Sequence, residues 1–152
     1  MVTQVIYHAT TSINWMKIKR SGFKLPIYNL GDFYLGQPQK KPGSLGYGIY
    51  GFLEDAQLAS EFITKTTNVR KYATIMLIIE VTEEHSLNFI DNLADMKLFK
   101  RFLTRLNIQN RIDTFNRVYH NSFKQHALDG ALLEYFILQL QKSNQFSRID
   151  CV

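Results

Sequence analysis

The sequence predicts an α+β fold, and three observations carry that expectation. Short segments rich in β-branched and aromatic residues come early in the chain, and the most apolar of them is ATIMLIIEVT at 73–82. Segments with apolar residues at helical spacing fill the later part, from 94 to 142. Strands and helices do not alternate strictly, which counts against a doubly wound parallel sheet.

Each element follows from local chemistry. Residues 2–8 (VTQVIYH) read as a strand. Thr11 or Ser12 can cap a helix over 13–20, whose apolar face is Ile13, Met16 and Ile18 and whose stop is Gly22. Residues 24–44 hold Pro26, Pro38 and Pro42 with Gly31, Gly36 and Gly43, and read as a long loop carrying Tyr28, Phe33 and Tyr34. Residues 46–52 form a short glycine-punctuated strand or turn. A helix is expected over 54–66, with acids at its positive N-terminus and Ala56, Leu58, Ala59, Phe62 and Ile63 to bury. The strand at 73–82 is expected to be buried on both faces. Helices follow over 94–106 and 112–124, then a helix over 131–142 capped by Asp129. Residues 148–152 read as a closing strand.

Composition bounds the class. The 152 residues are 45% hydrophobic and 20% charged, the composition of one domain, 1–152, with a core of its own, and too apolar for disorder. The longest apolar run, near 75–79, is far short of a membrane span. Residues 1–11 lack the basic and apolar regions of a secretory signal. The lone cysteine, Cys151, cannot form an internal disulfide, so a reducing, cytoplasmic setting is expected, with the thiol as a small apolar residue. The net charge of +5 is spread over scattered Lys and Arg, which suits a solvated surface or contact with a polyanion. His85, His120 and His126 have neither helical pairing nor a nearby cysteine, so no metal site is expected.

Two segments carry chemistry. The first is Tyr7-His8-Ala9-Thr10-Thr11 at a strand end, followed by a helix and Ser21-Gly22-Phe23. The second is Leu45-Gly46-Tyr47-Gly48-Ile49-Tyr50-Gly51-Phe52, followed by a helix containing Ala59. A histidine at a strand end can hold a sugar hydroxyl, because imidazole both donates and accepts, and Thr10 adds a second hydroxyl-directed group. Gly46 and Gly48 let the backbone approach a ligand. Tyr50 offers a flat face for an aromatic ring. Each residue also has an ordinary structural reading; the pairing of the two segments, in this order, is what suggests a nucleotide. No Rossmann, P-loop or GxSxG pattern is present.

The run YHATT…SGF…LGYGIYGFLEDAQLASEF resembles the histidine–tyrosine class of ADP-ribosyltransferases, and is closest in pattern to small bacterial members. The resemblance implies a split antiparallel sheet with flanking helices and NAD as substrate. It implies His8 on the ribose, Tyr50 on the nicotinamide, and a late glutamate, for which Glu134 is the candidate, as the catalytic set. The binding set would be His8, Ala9, Thr10, Gly48, Ile49, Tyr50, Ala59 and Phe62. Ala9 stands where the family has glycine, and a positive φ there would strain it. Phe62 only approximates a second stacking aromatic, since Glu61 holds that position. The reaction implied is cleavage of the NAD glycosidic bond through an oxocarbenium-like state, with the glutamate stabilising developing positive charge. The acceptor would be a protein, nucleic acid or small molecule, and the role that of a bacterial or phage toxin or defence factor, with a protein partner or antitoxin.

Two rival expectations stand beside it. Glu134 reads as helical, either catalytic or solvated, whereas the family glutamate is on a strand that follows a segment like 148–152. A truncated or split domain lacking the last strands would then bind NAD or ADP-ribose without catalysis, or be completed by a partner at its open sheet edge. A basic nucleic-acid-binding domain is the second rival, with Tyr28, Phe33 and Tyr34 stacking on bases.

Overall fold

The computed structural model describes residues 1–25, 42–119, 127–143 and 148–152. The fold is mixed α+β, with a three-stranded antiparallel sheet and five α-helices among the described residues. The loop aromatics Tyr28, Phe33 and Tyr34, the histidines His120 and His126, and the end of the helix expected over 112–124 lie outside them. The chain divides into two compact units, Met1–Leu25 with Ile49–Thr82, and Pro26–Gly48 with Glu83–Val152.

The first unit is built on the sheet. β1 (Val2–Thr11) runs into α1 (Ser12–Ser21); β2 (Phe52–Leu53), α2 (Ala56–Thr67) and β3 (Tyr72–Val81) follow. The strand order is β2-β1-β3, antiparallel throughout. Thr11 caps α1 by accepting from the Asn14 N–H, and Gly22, at φ 70°, ends the helix with its N–H on the Ile18 carbonyl. Asp55 caps α2 through Leu58 N–H at 2.7 Å, and Asn68 closes that helix in the left-handed conformation.

α2 covers one face of the sheet. Its Phe62 ring meets Phe52 at a centroid distance of 5.5 Å, and Ser60 Oγ is 2.8 Å from Thr74 Oγ1. Ala59, fully buried, is the small residue that lets the helix sit close. This coverage is partial. β3 alternates exposed and half-buried along its whole length, so the expectation of burial on both faces is corrected. A continuous apolar run does not by itself say how much of the strand a neighbouring helix shields.

The second unit is helical. After a short 3₁₀ turn (Glu83–His85) come α3 (Leu93–Leu103), α4 (Leu106–Tyr119) and α5 (Ala127–Lys142). Leu87, Phe102, Ile108, Leu133, Phe136 and Leu140 form the core, with Phe102 and Phe136 ring centroids 5.1 Å apart. Asn92 caps α3, and the Asp95 carboxylate accepts from Asn88 N–H at 2.8 Å, as a helix N-terminus favours.

Several boundaries differ from expectation. β1 runs on to Thr11, so His8 lies within the strand and not at its end, and the strand expected within 46–52 is confined to Phe52–Leu53. The expected helix over 94–106 ends at Leu103, and the next begins at Leu106, six residues earlier than the sequence pattern suggests. The break has no Gly or Pro; Gln109 Nε2 donates to the Leu103 carbonyl and satisfies an orphaned helix end. Asp129 is not a cap, because α5 begins two residues earlier, where Leu128 packs on Ala131 and Leu132. The segment 148–152 makes one isolated parallel bridge, Ser86 to Cys151, rather than a strand. It is held by Leu87 N–H on the Cys151 carbonyl (3.0 Å), Asp150 N–H on the His85 carbonyl (2.7 Å), and Ile149 packed on the core.

Candidate functional site

His8 lies on the sheet face opposite α2, in line with Gln4, Ile6 and Thr10, and opposite Ile75 of β3. Its Nδ1 is 2.7 Å from the carbonyl oxygen of Tyr50. A backbone carbonyl only accepts, so Nδ1 carries the proton, and in the neutral ring Nε2 is left as an acceptor. Among the described residues no protein group bonds to Nε2. Phe23 meets the imidazole edge-on, with centroids 5.4 Å apart and planes at 85°. The sequence singled out Ser21-Gly22-Phe23 without giving Phe23 a task; its task is to fix this ring, and Gly22 turns the chain to bring it there.

The approach of Tyr50 to His8 depends on Gly51. A Cβ at Gly51 would lie 2.7 Å from Ile6 Cδ1 and 3.0 Å from Ile6 Cβ. Such contacts are below any relaxed carbon–carbon separation, so glycine lets the backbone pass this close without moving Ile6. Tyr50 as a whole residue is 38% exposed and Ile49 40%. The imidazole, with its fixed acceptor nitrogen, and the Tyr50 backbone therefore come together within one unit.

The other expected binding residues divide. Thr10 is buried, and Ala9 lies in the regular ladder opposite Thr74, without the positive φ that would have strained it. Gly48 has open space where a Cβ would be, so no close approach requires it. Ala59 is a packing residue under α2. Phe62 is half exposed beside Phe52.

Glu134 is helical, as the sequence suggests, but it is not solvated: only 5% of it is exposed. Its carboxylate accepts the Tyr47 N–H at 2.5 Å. The turn it holds is closed by Gly43 and Gly46, each donating to the other's carbonyl at 3.1 and 3.2 Å. Gly46 has φ 89°, and a Cβ there would strike Glu134 Oε1. One helical turn earlier, a Cβ on Gly130 would strike the Gly43 carbonyl oxygen. Gly130 and Glu134 thus form one face of α5 that seats the 43–46 turn. Burial, and then the Glu134 charge, push the Tyr47 phenol up to about 12. Sequence reasoning read Gly46 as a ligand approach and missed this seat; the shared signal was a helix face with glycine at i and a carboxylate at i+4.

His8 and Tyr50 belong to the first unit and Glu134 to the second. Among the described residues no group of three metal-ligating side chains gathers, and no helix is long and apolar enough to cross a membrane. Burial, and then the charge of Asp150, raise the pKa of the Cys151 thiol, as suits a structural rather than a reactive cysteine. Comparison of the chain with protein-family models, with curated proteins and with solved structures finds no match.

Proposed function

We propose that the chain is an ADP-ribosyltransferase-like protein that binds NAD with His8 and Tyr50 and transfers its ADP-ribose to an acceptor. The observation that carries this reading is the 2.7 Å contact from His8 Nδ1 to the Tyr50 carbonyl. It joins the two segments on which the family resemblance rests, and it leaves Nε2 poised to accept from a ribose hydroxyl. Tyr50 supplies a ring on which nicotinamide stacks. The antiparallel sheet with helices beside it is compatible with the split sheet of that class.

A second reading has its own observation. The Glu134 carboxylate is buried and bonded to the Tyr47 N–H, so it already serves to hold the 43–46 turn. That favours a non-catalytic NAD- or ADP-ribose-binding module, in which Glu134 is structural.

Calorimetric titration with NAD, in parallel for wild type, His8→Ala and Tyr50→Ala, with nicotinamide release followed in the same samples, separates the readings. Binding lost in both variants, with release by wild type, supports the transferase. Binding without release supports the module. Absence of NAD binding by the wild type rejects both.

A further inference from the structure

β3 is an edge strand of the three-stranded sheet, and among the described residues no strand pairs with its outer side. The side its backbone groups face follows from two hydrogen bonds. Glu54 N–H donates to the Val5 carbonyl, so the odd residues of β1 face β2 and its even residues face β3; Ser12 N–H on the Lys71 carbonyl continues the same alternation. The β3 partners of those even residues are Ala73, Ile75, Leu77 and Ile79. The N–H and C=O groups of Tyr72, Thr74, Met76, Ile78 and Glu80 therefore point outward. Among the described residues none of these backbone groups has a hydrogen-bond partner. The side chains of the same five residues are the exposed ones, with Met76 at 57% and Ile78 at 65%.

Edge strands are ordinarily protected by lysine, proline, a bulge or short length. β3 is ten residues long, pairs with β1 in unbroken register, and carries no proline and no charge from Ala73 to Ile79. Such an edge is a template for another strand, and its sequence specifies which. In an antiparallel pair related by a two-fold axis, residues opposite one another must share a face. Centring that axis on Met76 uses all five outward-facing residues. Met76 then lies opposite its own counterpart, Thr74 opposite Ile78, and Tyr72 opposite Glu80. Arg70 falls diagonally beside Glu80 of the second chain, twice over, and no like charges face each other. The edge is thus complementary to itself in charge, length and hydrogen-bonding pattern.

We propose that β3 pairs with β3 of a second copy of this chain, antiparallel and centred on Met76, to make one continuous six-stranded sheet. The proposal is independent of the NAD reading.

Sedimentation velocity from low to high micromolar concentration tests it, with oxidative cross-linking to read the register. Wild type sediments as a dimer. Met76→Pro removes an outward N–H while leaving the β1–β3 ladder bonds in place, and sediments as a monomer; Met76→Lys does the same and decides the matter if the proline variant is unfolded by circular dichroism. In a Cys151→Ser background, Met76→Cys cross-links under mild oxidation, since paired residues sit about 5.5 Å apart at Cα, within disulfide reach. Tyr72→Cys does not, its copies being about 27 Å apart along the strands. A wild type that is monomeric throughout, a dimer that survives both Met76 variants, or equal cross-linking at positions 72 and 76 would overturn the proposal.

Discussion

His8 and Tyr50 are 42 residues apart in the chain, yet the imidazole Nδ1 of one donates to the backbone carbonyl of the other at 2.7 Å. The contact fixes a tautomer as well as a position. With Nδ1 protonated, the only acceptor on the neutral ring is Nε2. Long-range ¹⁵N correlation spectra at a pH where the ring is neutral are expected to show His8 as the Nδ1–H tautomer. The isolated imidazole prefers the other one, so an Nε2–H spectrum would mean the Tyr50 contact is not made in solution.

The seat of the 43–46 turn on α5 makes a prediction whose sign is decided by competing magnitudes. Replacing a helical glycine by alanine ordinarily stabilises by about 1 kcal/mol. At Gly130 the added Cβ would strike the Gly43 carbonyl oxygen, a backbone atom that yields only if the turn moves. Overpacking of this kind costs about 1–3 kcal/mol. Gly130→Ala is therefore expected to be destabilising despite its better helix propensity, which urea denaturation measures directly. A stabilised variant would show that the turn does not rest on this face.

How much of this was legible in the sequence depends on the range of the interaction. β1, α1 and α2 were readable because their signals are local: a β-branched run, Thr11 as a cap, Gly22 as a stop, and acids at the start of α2. The exposure of β3 was not, because its ten residues give no sign of which part α2 covers. The break between α3 and α4 was hidden because Gln109, six residues away, satisfies the Leu103 carbonyl in place of a glycine or proline. Glu134 was read correctly as helical, and of the two alternatives left for it, catalytic or solvated, its burial removes the second. Its partner, the Tyr47 N–H, is 87 residues distant and belongs to a turn that the sequence suggested for ligand contact. His8 and Tyr50 were picked out by their chemistry and by resemblance, and only the fold supplies the bond between them.

The half-buried Tyr47 phenol links stability to alkaline pH. Its folded pKa is pushed to about 12, above the ordinary 10.0, chiefly by burial and then by the Glu134 charge. A raised folded value means the native state holds its proton more tightly than the unfolded chain. The resulting stability is complete below about pH 10 and is lost as pH rises through 10 to 12. Tyr47→Phe is expected to flatten the decline of stability over that window. Glu134→Gln keeps an acceptor for the Tyr47 N–H and removes the charge, so it lowers the phenol pKa only in part, burial being the larger cause. Glu134→Ala abolishes the acceptor and is expected to cost about 1.5–3 kcal/mol, the range for a hydrogen bond to a charged group. Phenolate absorbance and denaturant titrations across pH 8–12 check all three.

Gly51 couples the packing of the sheet to the proposed ligand site. A Cβ there would meet Ile6 Cδ1 at 2.7 Å and Ile6 Cβ at 3.0 Å, so Gly51→Ala must push β2 away from β1 or twist the Ile6 side chain. Displacing β2 draws the Tyr50 carbonyl off His8 Nδ1 and frees the ring to change tautomer. NAD affinity is then expected to fall about tenfold, the equivalent of about 1.4 kcal/mol, while the fold persists, since β1 and β3 remain paired. Ile6→Ala in the same chain removes the Cδ1 and Cγ1 contacts and is expected to restore part of the affinity. The two residues touch, so their effects should be non-additive by about 0.5–3 kcal/mol in a double-mutant cycle. An additive cycle, or an unchanged His8 tautomer in Gly51→Ala, would separate the packing of Ile6 against Gly51 from the geometry of the site.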